Sequence, residues 1–452
     1  MLATFAALAA SLALAAPQDA PDPKSQAPAA SVGPLASEVA GMFRSGNLDG
    51  ISSRFSPQLA SMLSPEAFRE GWVGIENRVG KLQSIGAPIV RKTAGDHAAV
   101  LPVKFEKADW ILTLAFDADG KITSLRFTPS SLGTGPAAAP LPEFRAPTYA
   151  NAKKFRDSEV KVGAAPWVLP GTLSMPAGKG PFPGVVLVHG SGPQDRDETV
   201  GGTKVFRDLA WGLASQGIAV VRYDKRSRVH GDKVGSAPVT VKDEIVDDAV
   251  AAVKLLRTTR GVDPRRIVVL GHSQGGGMVP RIAAADGRLA GVIALAGSTR
   301  PIHELIEDQL DYLVTNGAAK EDEVAPLRAE AQRIRSLDPA KTPPVERIMG
   351  APPSYWLDLR AYDPGATARG NAIPILVLQA GRDYQVTEKD LDGWKKGLEG
   401  ASFARFQTFP RANHLFVFGE GTSLPAEYQK TGNVAGEVVD LIAKWVKGLP
   451  AR

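Results

Sequence analysis

Beyond about Asn151 the chain alternates short apolar runs with longer amphipathic stretches. "PGVVLVHG" is apolar without a polar partner at every second position, the pattern of a strand covered on both faces. "IAVVRYD", "RIVVLGH", "LAGVIALAG", "IPILVLQAGRD" and "FARFQTFP" read as further strands. Between them, "KVFRDLAWGLASQG", "QGGGMVPRIAAADG" and "LDGWKKGLEG" carry helical spacing. So does "TVKDEIVDDAVAAVKLLRTTRG", with Thr240 as its N-cap and Gly261 as its stop. Alternation of this kind predicts an α/β fold, a mostly parallel sheet with helices on both faces. Chemistry is then expected at the carboxyl ends of the strands.

Two regions depart from this rhythm. Residues from about 299 to 362 are charged and helical with no strand between two sheet strands, and their length predicts an inserted cap. Residues 35–129 predict a small α+β domain. "LASEVAGMFRSG" and "SPEAFREGWVGIENRVG" have helical spacing, and "WILTLAFDADGKITSLRF" alternates on both sides of Asp119-Gly120, as a β-hairpin does. A Pro/Gly/Ala-rich stretch at 130–150 predicts a linker to the larger domain, residues 151–452.

Composition adds limits. The 452 residues are 44% hydrophobic and 22% charged, an ordinary globular balance. The net charge of +5 is spread without a Lys/Arg block, so nucleic acid is not an expected partner. The absence of cysteine excludes disulfides, thiolate metal sites and a cysteine nucleophile. At the N-terminus Leu2 to Ala16 form an apolar run too short to span a bilayer comfortably, closing on Ala13-Leu14-Ala15. Residues 1–16 are read as an export signal and 17–34 as a disordered linker, which predicts a periplasmic or secreted protein. No later stretch reaches membrane-spanning length.

The chemistry starts at Gly271-His272-Ser273-Gln274-Gly275, which follows a strand and opens a helix. A serine on a sharp strand-to-helix turn forces the residues two away on either side against their surroundings, and glycine alone fits there. Such a turn lifts the Ser273 hydroxyl clear of the sheet, at a helix N-terminus whose N–H groups can meet an oxyanion. A serine hydroxyl needs a base. Of six histidines, His97 lies in the small domain, His230 and His303 in loop or cap, His189 in a different motif, and His272 on the turn pointing away from Ser273. His414, just after the last strand, remains. Its orienting carboxylate is Asp383, at the end of the preceding strand, with Asp390 as its nearest rival. The oxyanion donors are expected from the backbone N–H of Gln274 and, in the loop His189-Gly190-Ser191-Gly192, from Ser191 or Gly192.

Taken as a set, "HGSGPQDRD", "RYDKR", "GHSQGG", "AGRDYQV" and "RANHLF" resemble the α/β-hydrolase superfamily. Within it they resemble bacterial two-domain serine esterases related to dipeptidyl aminopeptidases and acylaminoacyl peptidases. The N-terminal domain resembles the nuclear-transport-factor-like domain often fused ahead of them, on "GWVGIENRVGKLQSI" and the hairpin. The resemblance implies an esterase on short or medium acyl esters, small molecules, with no metal and no organic cofactor. It carries the triad onto Ser273, Asp383 and His414 and the oxyanion loop onto Ser191. An exopeptidase of the same fold, using cap acids Glu304, Glu307 and Asp308, and a non-catalytic binding protein are the competing readings. In such proteins the fourth-strand motif usually reads Asp-Lys-Arg-Gly; here Ser227 follows Asp224-Lys225-Arg226. Lys225 and Arg226 either touch substrate or, the preferred reading, pair with Asp195 and Asp197.

Overall fold

The computed structural model describes residues 27–92, 97–129, 144–231, 234, 238–343 and 346–452. The expected signal segment, the first part of its linker and residues 130–143 of the second linker lie outside the described residues. The chain divides into two units, with the boundary between Ala139 and Pro140.

In the first unit, Val32, Ala36, Val39, Ala40 and Phe43 are buried at helical spacing, on helix α1 (Ala29–Arg44). The linker expected over 17–34 is therefore corrected at its end, where Ala27 and Val32 already belong to the core. The Pro/Ala-rich composition hid the period, and Pro34 inside α1 forfeits a single backbone bond. Helices α2 (Leu48–Ser52), α3 (Pro57–Met62) and α4 (Pro65–Val79) follow, the last two opening on Ser56 and Ser64 as N-caps. An antiparallel sheet comes next: β1 (Leu82–Ile85), β2 (Ile89–Lys92), β3 (His97–Phe105), β4 (Asp109–Phe116) and β5 (Ile122–Pro129). β1 and β2 both pair with β3, and β4 and β5 form the hairpin around Asp119-Gly120. Trp72 of α4 sits among Phe43, Phe105 and Phe127, at ring-centroid distances of 4.9, 5.8 and 5.5 Å.

The second unit holds an eight-stranded sheet in the order β15-β14-β13-β12-β8-β11-β7-β6. Its edge hairpin, β6 (Phe155–Val162) and β7 (Leu169–Pro176), is antiparallel. β8 (Phe182–Val188), β11 (Ala219–Tyr223), β12 (Val262–His272), β13 (Gly291–Leu295), β14 (Ile375–Ala380) and β15 (Ala404–Phe409) run parallel. A short ribbon, β9 (Thr199–Val200) with β10 (Thr203–Lys204), lies between β8 and helix α5 (Val205–Ser215). α6 (Arg226–Val229) follows β11, and α7 (Asp247–Thr258) precedes β12. The chain enters α7 through a π-turn, Lys242–Val246. Thr240 caps this helix reciprocally with Asp243: the Asp243 N–H donates to Thr240 Oγ1 at 3.3 Å, and the Thr240 N–H to Asp243 Oδ2 at 2.9 Å. α8 (Gln274–Asp286) opens directly after β12.

Between β13 and β14 the chain inserts helices α9 (Ile302–Thr315), α10 (Glu321–Arg335), α11 (Pro353–Arg360) and α12 (Pro364–Asn371). The helical insertion thus runs past Tyr362, where a cap was expected to end. α13 (Glu388–Gly397) separates β14 from β15, and α14 (Gly436–Gly448) packs on α5. Among the described residues, no helix is long and apolar enough to cross a membrane.

Candidate active site

β12 ends at His272, and the next residue turns sharply: Ser273 has φ 57 and ψ −121. Glycine is required on both sides of it. A Cβ on Gly271 would stand 2.1 Å from the Gly275 carbonyl oxygen, and one on Gly275 2.3 Å from that of Val188 at the end of β8. No L side chain fits either gap. The Ser273 N–H donates to the Leu295 carbonyl of β13 at 2.9 Å, which fixes the turn to the sheet. A Cβ on Gly190 would lie 3.1 Å from Ser273 Cβ, so the loop after β8 passes directly beside the serine.

His414 reaches the same place from the loop after β15. Asn413 Oδ1 accepts from the Leu415 and Val417 N–H groups at 3.0 and 3.2 Å, folding the loop back on itself. The Ser273 hydroxyl lies 3.0 Å from His414 Nε2, and His414 Nδ1 donates to Asp383 Oδ2 at 2.6 Å. Asp383 stands just beyond β14 and accepts the Gln385 and Val386 N–H groups on Oδ1, at 2.7 and 3.0 Å. All three side chains are buried. Asp390, the rival carboxylate, is committed elsewhere: it accepts from the Thr299 N–H at 2.9 Å and pairs with Arg300.

Gln274 follows Ser273 as the first residue of α8, and Ser191 and Gly192 follow Gly190. Among the described residues, the backbone N–H groups of Ser191, Gly192 and Gln274 make no hydrogen bond, whereas that of Gly190 donates to Glu198 Oε1 at 2.7 Å.

The comparisons with known proteins follow this geometry. The description "Alpha/beta hydrolase family" matches residues 185–427. Esterase EstD of Thermotoga maritima is 37% identical over 400 residues, 88% of this chain and 92% of its own. The chain belongs to the α/β-hydrolase family. Residues 36–125 match a second family, described as "Protein of unknown function (DUF3887)". The quorum-quenching protein AidA of Acinetobacter baumannii is 34% identical over 116 residues, 25% of this chain and 34% of its own. Among solved structures, Est1E from Butyrivibrio proteoclasticus is 16% identical, with a TM-score of 0.41 over 64% of this chain and 96% of that one.

Electrostatics in this hydrolase favour the uncharged form of the His414 ring. Burial pulls His414 below the usual imidazole range, against the Asp383 charge and hydrogen bond, which act in the opposite sense. His272, with its ring centroid 4.8 Å from that of His414, goes the other way. Burial also lowers it, but Glu198 and the His414 carbonyl outweigh burial and raise it.

Several residues around the hydrolase site went unread in the sequence. Glu198, Glu244 and Tyr355 are buried there, and in the sequence little sets them apart from solvated charged or polar positions. Their neighbours in "DRDE" were the only signal for Glu198. The partners expected for Lys225 and Arg226 are corrected. Lys225 Nζ donates to the Gly190 carbonyl at 2.8 Å and stands 3.6 Å from Glu244; Arg226 pairs with Asp248. Asp197 is already held by Arg222, Arg207 and Lys204, and Asp195 turns into its own loop to bind Thr199. Ser227 is accommodated in the short helix α6. Of the cap acids, Glu304 is exposed, and Asp308 pairs with Arg300 and Lys389. A cleft beside Gln274 is lined by Met278, Ile302, Leu305, Leu359 and Tyr362 together with Ser298, Thr299 and Arg300.

Proposed function

We propose that the protein is a carboxylic ester hydrolase that works through Ser273, His414 and Asp383. The hydrogen-bonded chain from the Ser273 hydroxyl to His414 and on to Asp383, at 3.0 and 2.6 Å, carries this reading. Its likeness to an esterase over most of both chains supports it.

His414, neutral at pH 7, takes the hydroxyl proton as Ser273 attacks the ester carbonyl. Asp383 holds the imidazole with Nδ1 protonated and stabilises the imidazolium that forms. The N–H groups of Gln274 and of Ser191 or Gly192 receive the oxyanion. Proton return from His414 expels the alcohol and leaves an acyl-enzyme on Ser273. Water, deprotonated by His414, then attacks that acyl group and restores the serine. A short to medium acyl chain would lie against Met278, Ile302, Leu305 and Leu359, the apolar side of the cleft beside Gln274, whose other side carries Ser298, Thr299 and Arg300. Steady-state hydrolysis of p-nitrophenyl esters of increasing acyl length tests this, with turnover expected to peak at short or medium chains and to disappear in Ser273→Ala.

The protein is further proposed to be exported to the periplasm or beyond, on the strength of the apolar Leu2 to Ala16 run and its small-residue end. Mass measurement of the N-terminus after expression with an export-competent host tests this. Loss of a segment ending near Ala15 or Ala16 is expected, and an intact Met1 in the exported fraction contradicts it.

A further inference from the structure

The Gly190 peptide is gripped from both sides by buried charged groups. Its N–H donates to Glu198 Oε1 at 2.7 Å, and its carbonyl accepts from Lys225 Nζ at 2.8 Å. Glu198 and Lys225 are each only 2% exposed, so neither can be satisfied by bulk water. Glu198 also has φ 47, in the left-handed region that a side-chain-bearing residue enters at a cost, and its carboxylate points inward nonetheless.

Each grip extends into the rest of the site. Glu198 Oε2 lies 3.0 Å from His272 Nδ1, and His272 Nε2 lies 2.9 Å from the His414 carbonyl oxygen. The His414 carbonyl oxygen can only accept, so His272 Nε2 donates to it, and Nδ1 faces the Glu198 carboxylate. On the other side, Lys225 approaches Glu244, Tyr355 OH donates to Glu244 Oε2 at 3.1 Å, and Gln274 Nε2 donates to Tyr355 OH at 2.8 Å. The two chains therefore start at the same peptide. One ends at the backbone of the base, and the other at the residue after the nucleophile.

We infer that Glu198 and Lys225 are positioning residues that clamp the Gly190 peptide, setting the loop N–H groups beyond it and the Gln274 N–H in register around the oxyanion. The inference rests on the ester-hydrolase reading of the site. The clamp accounts for charged residues that touch neither the serine nor the cleft, and it gives "HGSG", "DRDE", "DKR" and "GHSQ" one common task.

The test uses the full chain, labelled with a fluorophosphonate whose tetrahedral adduct needs the oxyanion donors. Amide hydrogen exchange over residues 189–192 is followed in parallel. Glu198→Leu removes the acceptor for Gly190, and Lys225→Met removes the donor. Each is expected to slow labelling and kcat by about 10²-fold, the scale of a lost oxyanion donor, with little change in KM. Exchange at residues 190–192 is expected to rise. Glu198→Gln keeps an oxygen for the Gly190 N–H and presents an N–H₂ group to His272, and should restore most of the labelling rate. That rescue separates a clamp from a general loss of folding.

Wild-type labelling with unchanged rates in Glu198→Leu and Lys225→Met overturns the clamp and leaves the hydrolase reading intact. Failure of the wild type to label refutes the hydrolase reading, and exchange then judges the clamp alone, with unaltered protection at 190–192 in both variants overturning it. If Glu198→Leu does not fold, Lys225→Met and Glu198→Gln carry the same comparison, and equal rates in those two overturn the clamp.

Discussion

At the scale of single residues, the proposed chemistry reduces to where one proton sits. His414 Nε2 must be unprotonated to accept it from Ser273, 3.0 Å away, and burial favours the uncharged ring. The sign of the pH dependence follows. Below its own pKa His414 is protonated and cannot act as base, so kcat/KM rises with pH through that value and is level above it. Because the folded-state value lies below the usual imidazole one, the acid limb should centre below about pH 6.5. A pH profile of kcat/KM on an unionisable ester measures this, and a limb centred above that value contradicts it. Asp383→Asn leaves the shape but offers the wrong tautomer to His414, and should lower kcat by about 10⁴-fold. That Ser273, His414 and Asp383 come together was legible in the sequence because each ends or follows a strand and because few histidines competed. The placement of Glu198 and Lys225 was not, because a charge in a run such as DRDE or DKR has the same appearance whether solvent or a peptide group receives it.

At the scale of elements, the site depends on how closely β12, α8 and the end of β8 approach. Gly271→Ala would put a methyl 2.1 Å from the Gly275 carbonyl, a backbone atom that cannot step aside. Its cost should exceed about 3 kcal/mol, among the larger effects of single substitutions, measured by chemical denaturation of the full chain. The cap is tied to α8 through Tyr355, buried between Gln274 and Glu244. Tyr355→Phe leaves the Gln274 amide without its acceptor and, among the described residues, Glu244 with Lys225 alone, and should destabilise the fold by about 1–3 kcal/mol. The main parallel strands and most helices could be read from periodicity, since a strand buried on both faces is a continuous apolar run. The edge hairpin β6–β7 and the strands β1 to β3 were not assigned. Edge strands alternate with polar residues, and β1 and β2 are only four residues each. The start of α1 was missed because Ala and Pro dominate a stretch whose buried positions are nevertheless helical.

At the scale of the whole molecule, two units each carry a core of their own. The aromatic cluster around Trp72 belongs entirely to the first unit, and every residue named in the active site belongs to the second. Trp72→Ala should therefore lower the stability of the first unit by about 3–5 kcal/mol and leave the labelling rate of Ser273 unchanged. Calorimetry beside labelling tests the separation, and a fall in labelling in step with the first unit's unfolding contradicts it. The central claim, an activated serine driven by His414, is tested most directly by fluorophosphonate labelling of the wild type, Ser273→Ala and His414→Ala. The wild type should label rapidly, Ser273→Ala not at all, and His414→Ala slower by several orders of magnitude. An unlabelled wild type, or a Ser273→Ala protein that labels as fast as the wild type, contradicts the account.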